Sequence, residues 1–370
     1  MGGKAFSDLG AETIRVPTER MAPIARAIAD ALGAGMVRWP RDKADHGDID
    51  LVVSAQLVGH IGDAELARRA GEAAGYPYIS RRLDVRDPIL FVGLQLPEGL
   101  VQVDLISSPD ELLDFATRYL CWGDAGSMIG RLAREMGLTF GQNGLRCPVR
   151  VPGATKESLL LTTSFDEAVR FLGWDPAVHD AGFANDQEIA GFIASGTYFD
   201  PKVYEEQRTS SSARRRGKVR KGRSSFIDDV TARMGRFVWP EVKGPNPLQE
   251  AFTDKALEHF GKQAEYETIR QRMAASREIK QLAFTPEAVV AATGAPREDF
   301  SAIASVISES FPEPDEFRVW KETCSPDDLA QRATDALAIL KTRRAEAAAR
   351  QAIHLADVER GRKRREARKG

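Results

Sequence analysis

Cysteine is scarce in this 370-residue chain: Cys121, Cys147 and Cys324 stand far apart, with no pair at metal-ligand spacing. That argues against a disulfide framework or a cysteine zinc site and makes a reducing cytoplasm the expected compartment. Histidine is equally thin, with His46, His60, His179, His259 and His354 dispersed. No apolar run approaches the ~18 residues of a membrane span, so no transmembrane segment is expected. A basic–apolar–small leader is missing, and the opening Met1-Gly2-Gly3-Lys4-Ala5-Phe6 lacks the Ser or Thr of a myristoylation signal. Neither secretion nor N-myristoylation is therefore expected. Internal repeats are absent too. What remains is ordinary globular composition, 42% hydrophobic and 29% charged, in a length that suits two or three domains.

Charge is present but unevenly spread. Arg208 to Arg223 carries eight Lys/Arg and no acid, and Lys341 to Gly370 carries eleven Lys/Arg against four acids. The net charge of −2 thus divides into +8, +7 and −17 for the other 324 residues. An acidic body with two concentrated basic arms suits a polyanionic partner held at particular places.

Periodicity and turn residues predict an α+β domain at the N-terminal end. Thr18 is expected to cap a helix to Leu32, ended by Gly33 and Gly35. Met36 to Trp39 reads as a short strand, Asp48 to Ser54 as a strand, and Asp63 to Ala74 as a helix. Ile89 to Leu96 and Leu100 to Ile106, around Pro97-Glu98-Gly99, read as a hairpin. Helices are expected over 109–119 and 128–136. A mixed segment runs to about residue 200, and the Ser/Arg/Gly-rich stretch 208–225 reads as an exposed loop. An Ala-rich helical pattern fills 248–340, and the last thirty residues read as a charged helix that frays.

The carboxylates carry the chemistry. In Gly47-Asp48-Ile49-Asp50-Leu51-Val52-Val53, strand alternation turns Asp48 and Asp50 one way and Ile49, Leu51 and Val53 the other. Some fifty residues on, Asp104 interrupts the apolar strand Val101-Gln102-Val103-Asp104-Leu105-Ile106. If the two strands share a sheet, three carboxylates converge. Like charges so close raise at least one pKa, and an unpaired buried carboxylate is costly. A hard divalent cation resolves both, since Mg²⁺ takes oxygen ligands and keeps positions open for phosphate and water. Two such ions, Mg²⁺ or Mn²⁺, suit in-line nucleotidyl displacement. An Asp-x-Asp alone is often a solvated strand edge; the preceding Gly47 and the third Asp set this one apart.

The strings GDIDLVV and VQVDLI resemble the nucleotidyltransferase superfamily of DNA polymerase beta type, nearest to its family X polymerases. Phe115 to Gly123 (FATRYLCWG) resembles the segment before that family's primer-side helix. Arg131 to Leu138 with Asn143-Gly144-Leu145 resembles its thumb pattern. The likeness covers roughly residues 20 to 175 and the compact layout resembles phage-borne members. It implies a polymerase beta-like palm over 1–108, a thumb-like domain over 109–200, a basic linker over 201–247 and a helical region over 248–370. By the same resemblance Asp48 and Asp50 hold both metals, and Asp104 completes the site of the metal that activates a 3′-hydroxyl. Gly35 matches the turn glycine, Arg38 meets the triphosphate, Gly47, Trp122 and Gly123 lie on the nucleotide side, and Trp122 is the nearest match to the nucleotide-selecting aromatics. Met36 stands where the family has serine. The implied activity is transfer of nucleotides from a nucleoside triphosphate to a DNA or RNA 3′ end. A tRNA or other RNA end-adding enzyme is the alternative within that chemistry, and a non-catalytic nucleic-acid-binding protein the alternative outside it.

The basic features leave two readings each. Arg214, Arg215, Arg216, Lys218, Arg220, Lys221 and Arg223 bind nucleic-acid phosphates or form a solvated insertion. Arg362 to Arg365 does the same or serves solubility. Arg131, Arg134 and Arg146 track a strand or are surface charges. Phe237 and Trp239 stack on a base or belong to the core, and His46 contacts phosphate or is a turn histidine. Cys121 and Cys147 read as core thiols.

Overall fold

The computed structural model describes residues 5–84, 87–151, 157–205, 223–240, 246–282 and 284–366. It is mixed α+β and divides into two compact units, 1–149 with 157–266, and 150–156 with 267–370. The expected palm and thumb-like regions therefore share one unit, and the second boundary falls near 266 rather than at 247/248. Arg214, Arg215, Arg216, Lys218, Arg220 and Lys221 lie outside the described residues. Among the described residues, no helix is long and apolar enough to cross a membrane.

In the first unit the chain begins with β1 (Val16–Pro17), α1 (Thr18–Leu32), β2 (Gly35–Met36), β3 (Asp45–His46) and β4 (Asp48–Ser54). Then come α2 (Ala55–Ala74), β5 (Tyr78–Arg81), β6 (Ile89–Leu96) and β7 (Gly99–Ser108). One sheet has the order β2-β4-β7-β6-β5; β4 and β7 run parallel, and its other neighbours run antiparallel. Alternation decides which side is buried. Ile49, Leu51, Val53, Val101, Val103 and Leu105 face a core built with Met21, Ile24 and Ile28 of α1 and Leu66, Ala67 and Ala70 of α2. Burying the Val, Leu, Ile and Met side chains among them stabilises by about 1.5–3 kcal/mol each, which fixes the register and hence the face taken by the residues between them.

Several boundaries differ from expectation, and two of them have a clear local cause. Thr18 begins α1 rather than capping it, because its hydroxyl bonds the Lys43 carbonyl and His46 Nε2 (2.9 Å) instead. The second helix starts eight residues early, capped by Ser54, whose Oγ accepts from Leu57 N; Gly62 at φ 76° then breaks it just before the predicted Asp63.

Beyond the sheet lie α3 (Leu113–Leu120), α4 (Ala125–Glu135), β8 (Thr139–Gly141), β9 (Gly144–Val149) and β10 (Glu157–Thr162). The strands β10-β9-β8 form an antiparallel sheet that the mixed pattern had hidden. Pro148 inside β9 is an edge-strand signal that masks a strand in sequence. Next are α5 (Phe165–Phe171), α6 (Pro176–Ala181), α7 (Asp186–Ser195), α8 (Arg223–Thr231), α9 (Pro247–His259) and α10 (Gln263–Leu282). Helix α8 shortens the expected loop, since Arg223 is already its first residue.

The second unit takes in α10 from residue 267 onward and contains α11 (Pro286–Thr293), α12 (Phe300–Ser308), α13 (Pro314–Thr323) and α14 (Pro326–Glu366). Val289, Ile303, Ile307, Trp320, Leu329 and Leu337 form its core. Arg344 pairs with Asp299 (Nη2–Oδ1 2.6 Å) and Arg343 with Glu309 (2.7 Å), tying α14 to the residues around α12.

Candidate metal centre

Strand pairing builds the site. Asp50 lies directly opposite Asp104 in the β4/β7 register, and Asp48 opposite Gln102. All four therefore share the face away from the α1/α2 core. Asp48, Asp50 and Asp104 each offer an oxygen within 4.8 Å of the others, and all three are half-buried.

Two apolar clusters frame this face. At the far end of β4, Val52 packs with Val37 and with Ala116 of α3. On the β6 side Phe91, which pairs with Asp104 in the register, joins Ala5, Phe6 and Leu100. Asp104 thus has a carboxylate on one flank and a phenyl ring on the other strand. Burial first, then the negative charge of Asp50, pushes its pKa up to about 7, against the hydrogen bond from Gln102, which lowers it. Gln102 Nε2 donates to Asp104 Oδ1 at 2.7 Å, and Gln102 Oε1 accepts from Ala5 N at 3.1 Å.

An all-oxygen donor set that resists carrying its full negative charge is what a hard divalent cation relieves. The three carboxylates are therefore a set that can hold a metal. Positive charge is also at hand. Arg15 is held by Asp45 (2.5 Å), and exposed Lys43 interacts electrostatically with Asp48 and Asp50.

The remaining predicted residues are placed as follows. Gly35 is where a side chain is excluded: a Cβ there would lie 2.0 Å from Thr117 Oγ1 of α3. Met36 pairs with Leu51 and packs against the α1/α2 core, so its side chain turns away from the carboxylate face. After β2 the chain stays beside β4, with Val37 N donating to the Asp50 carbonyl at 3.3 Å. Gly47 is buried in the bend between β3 and β4. Arg38 rests over the Trp122 ring (4.8 Å) and its Nη1 donates to the Asp180 carbonyl at 2.9 Å. Asp180 is shared with Arg118 (2.8 Å), which also pairs with Asp166 (2.6 Å).

Two expectations, for Trp122 and Arg131, are corrected by burial. Trp122 is 4% exposed, packed on His179 and Phe183, with Gly182 bare of the Cβ that would meet its ring at 2.6 Å; it has no open face for a base. Gly123 follows it, exposed, and both take left-handed φ (64° and 67°). Arg131 is buried and its Nη1 donates to the Tyr204 carbonyl at 3.0 Å, so it does not line a surface that a strand could track. Arg134 is exposed. Arg146 is bonded across the β9/β10 pair to Ser158 (2.9 Å). Trp239 is core, donating Nε1–H to the Tyr198 carbonyl. His46 is a buried structural histidine, and burial, with Lys43 and Arg15 nearby, pushes its pKa down to about 4. Cys121 and Cys147 are buried thiols.

Gln102 and Lys43 were not singled out from sequence. Gln102 had a signal: it is a polar residue two positions before Asp104 in an apolar strand, hence on the same face. Lys43 sits in a polar turn, which carries none. No protein-family model matches the chain, and no curated protein matches its sequence.

Proposed function

We propose that this chain is a divalent-metal-dependent nucleotidyltransferase acting on a nucleic-acid 3′ end. The observation that supports the reading most is the trio of carboxylate oxygens within 4.8 Å on adjacent parallel strands. Asp48, Asp50 and Asp104 would hold two Mg²⁺ (or Mn²⁺) ions. When bound, those ions lower the pKa of an attacking hydroxyl and neutralise phosphate charge. The 3′-hydroxyl oxygen forms the new bond to the α-phosphorus, the bond to the β-phosphate oxygen breaks, and pyrophosphate leaves; the hydroxyl proton passes to solvent. The chain's contribution is pre-placement. The β4/β7 register holds the acids at the reacting centre before substrate arrives, which is where electrostatic catalysis gains most. Arg38 supplies a cation to the triphosphate, and Arg134 and the basic stretch from Arg214 to Arg223 supply sequence-independent phosphate contacts.

The test is an extension assay with DNA, tRNA and RNA ends, each nucleoside triphosphate alone, in Mg²⁺ or Mn²⁺. Incorporation that disappears in Asp48→Ala and Asp104→Asn, with the fold retained, supports the reading. Salt-sensitive nucleic-acid binding without metal-dependent turnover points instead to a binding protein, and undiminished incorporation by either variant defeats the assignment.

A further inference from the structure

Gln102 is buried to 4% exposure in the middle of β7, where a polar side chain needs partners for every group it carries. It has two, on opposite ends of its amide. The Ala5 backbone N–H donates to Oε1 (3.1 Å), and that fixes which end of the amide is oxygen. The NH₂ end must then point the other way, and it donates to Asp104 Oδ1 at 2.7 Å. One oxygen of Asp104 is thereby taken by the protein, and the rotation of the carboxyl is fixed. Asp48 lies opposite Gln102 on β4, so the amide also stands beside the second acid of the trio. Phe6, fully buried with Phe91 and Leu100, anchors the segment from which the Ala5 N–H comes.

We propose that Gln102 is a positioning residue of the carboxylate centre: oriented by the Ala5 backbone, it holds Asp104 so that one oxygen remains for the cation. The inference rests on the metal reading of the trio. Residues that hold ligands in this way typically change metal affinity by about 10–100-fold when removed. The N-terminal segment around Ala5 and Phe6 becomes part of the site's architecture, although it contributes no ligand.

The experiment is a Mn²⁺ titration of the full chain followed by electron paramagnetic resonance, with a thermal melt on each variant to confirm folding. Gln102→Met keeps the length and loses both hydrogen bonds; Gln102→Asn keeps the amide but is too short to span Ala5 and Asp104. Both are expected to weaken Mn²⁺ binding by about 10–100-fold. In Gln102→Met/Asp104→Asn the loss is expected to be no greater than in Asp104→Asn alone, because one acts through the other. If wild type binds Mn²⁺ and Gln102→Met and Gln102→Asn bind within twofold of it, the positioning role is overturned while the metal reading stands. Losses that multiply in the double variant overturn it as well. If wild type itself binds no Mn²⁺, the metal reading falls and takes this inference with it.

Discussion

Asp104→Asn separates stability from function at one atom. The asparagine keeps an oxygen to accept the 2.7 Å bond from Gln102, removes the charge and puts an NH₂ in place of the second carboxylate oxygen. In the folded protein Asp104 is raised from the 3.8 of an unperturbed aspartate to about 7, chiefly by burial and by Asp50. The folded state therefore binds this proton more tightly than the unfolded state. The sign follows: stability falls as pH rises from about 4 to about 7, then levels off. Each pKa unit is about 1.4 kcal/mol, so the ceiling on the penalty above pH 7 is about 4 kcal/mol. Asp104 is half-buried rather than sealed, and screening reduces this to ~2 kcal/mol. His46 and His179 pull the other way, since burial lowers both to about 4 and they cost stability as pH falls below 6.5. Only the difference between variant and wild type isolates Asp104. Urea midpoints in EDTA from pH 4 to 8 are the assay. The variant should match wild type near pH 4 and exceed it by ~2 kcal/mol at pH 8. Saturating Mg²⁺ should then stabilise wild type and leave the variant unmoved. A difference that stays flat across the range, or a variant less stable than wild type at pH 8, would refute the reasoning.

Other consequences are as definite. Metal binding should release a proton below pH 7, so Mn²⁺ affinity should rise about tenfold per pH unit there and flatten above, as read by titration calorimetry in two buffers. Trp122→Ala should cost about 3–5 kcal/mol, whereas Trp122→Phe should retain extension activity; a stable Trp122→Ala with altered nucleotide choice would return the residue to the nucleotide site. Gly35→Ala forces a Cβ to 2.0 Å from Thr117 Oγ1 and should cost about 1–3 kcal/mol by urea denaturation. Thr117→Gly in the same chain should recover most of that loss. Acidification from pH 6.5 to 4 should destabilise wild type more than His46→Gln, because the buried imidazole stays neutral in the fold while the unfolded chain takes up the proton.

The site was legible where the chemistry and the strand period agree. Asp48 and Asp50 alternate with Ile49, Leu51 and Val53, and Asp104 with Val103 and Leu105, so the apolar partners dictate the acids' face. The parallel pairing that sets Asp50 against Asp104 was not readable, because register between strands fifty residues apart is a tertiary property. Burial of Trp122 and Arg131 was hidden for the same reason: the cover comes from His179, Phe183 and Tyr204, distant in sequence. Gly35 was marked as a turn glycine, and its constraint proves to be the close approach of α3. Strands β8–β10 are short and carry Pro148, so their period is too brief to show. The basic residues from Arg214 to Lys221 lie outside the described residues, and phosphate binding is proposed for them on their charge.

The central claim is that three acids on two neighbouring strands hold a divalent cation. Anomalous diffraction from crystals grown with Mn²⁺ tests it most directly. Density bonded to oxygens of Asp48, Asp50 and Asp104 at about 2.1 Å, absent in Asp104→Asn, is the predicted result. Crystals whose manganese sits elsewhere, or that show no peak between these carboxylates at saturating Mn²⁺, would contradict it.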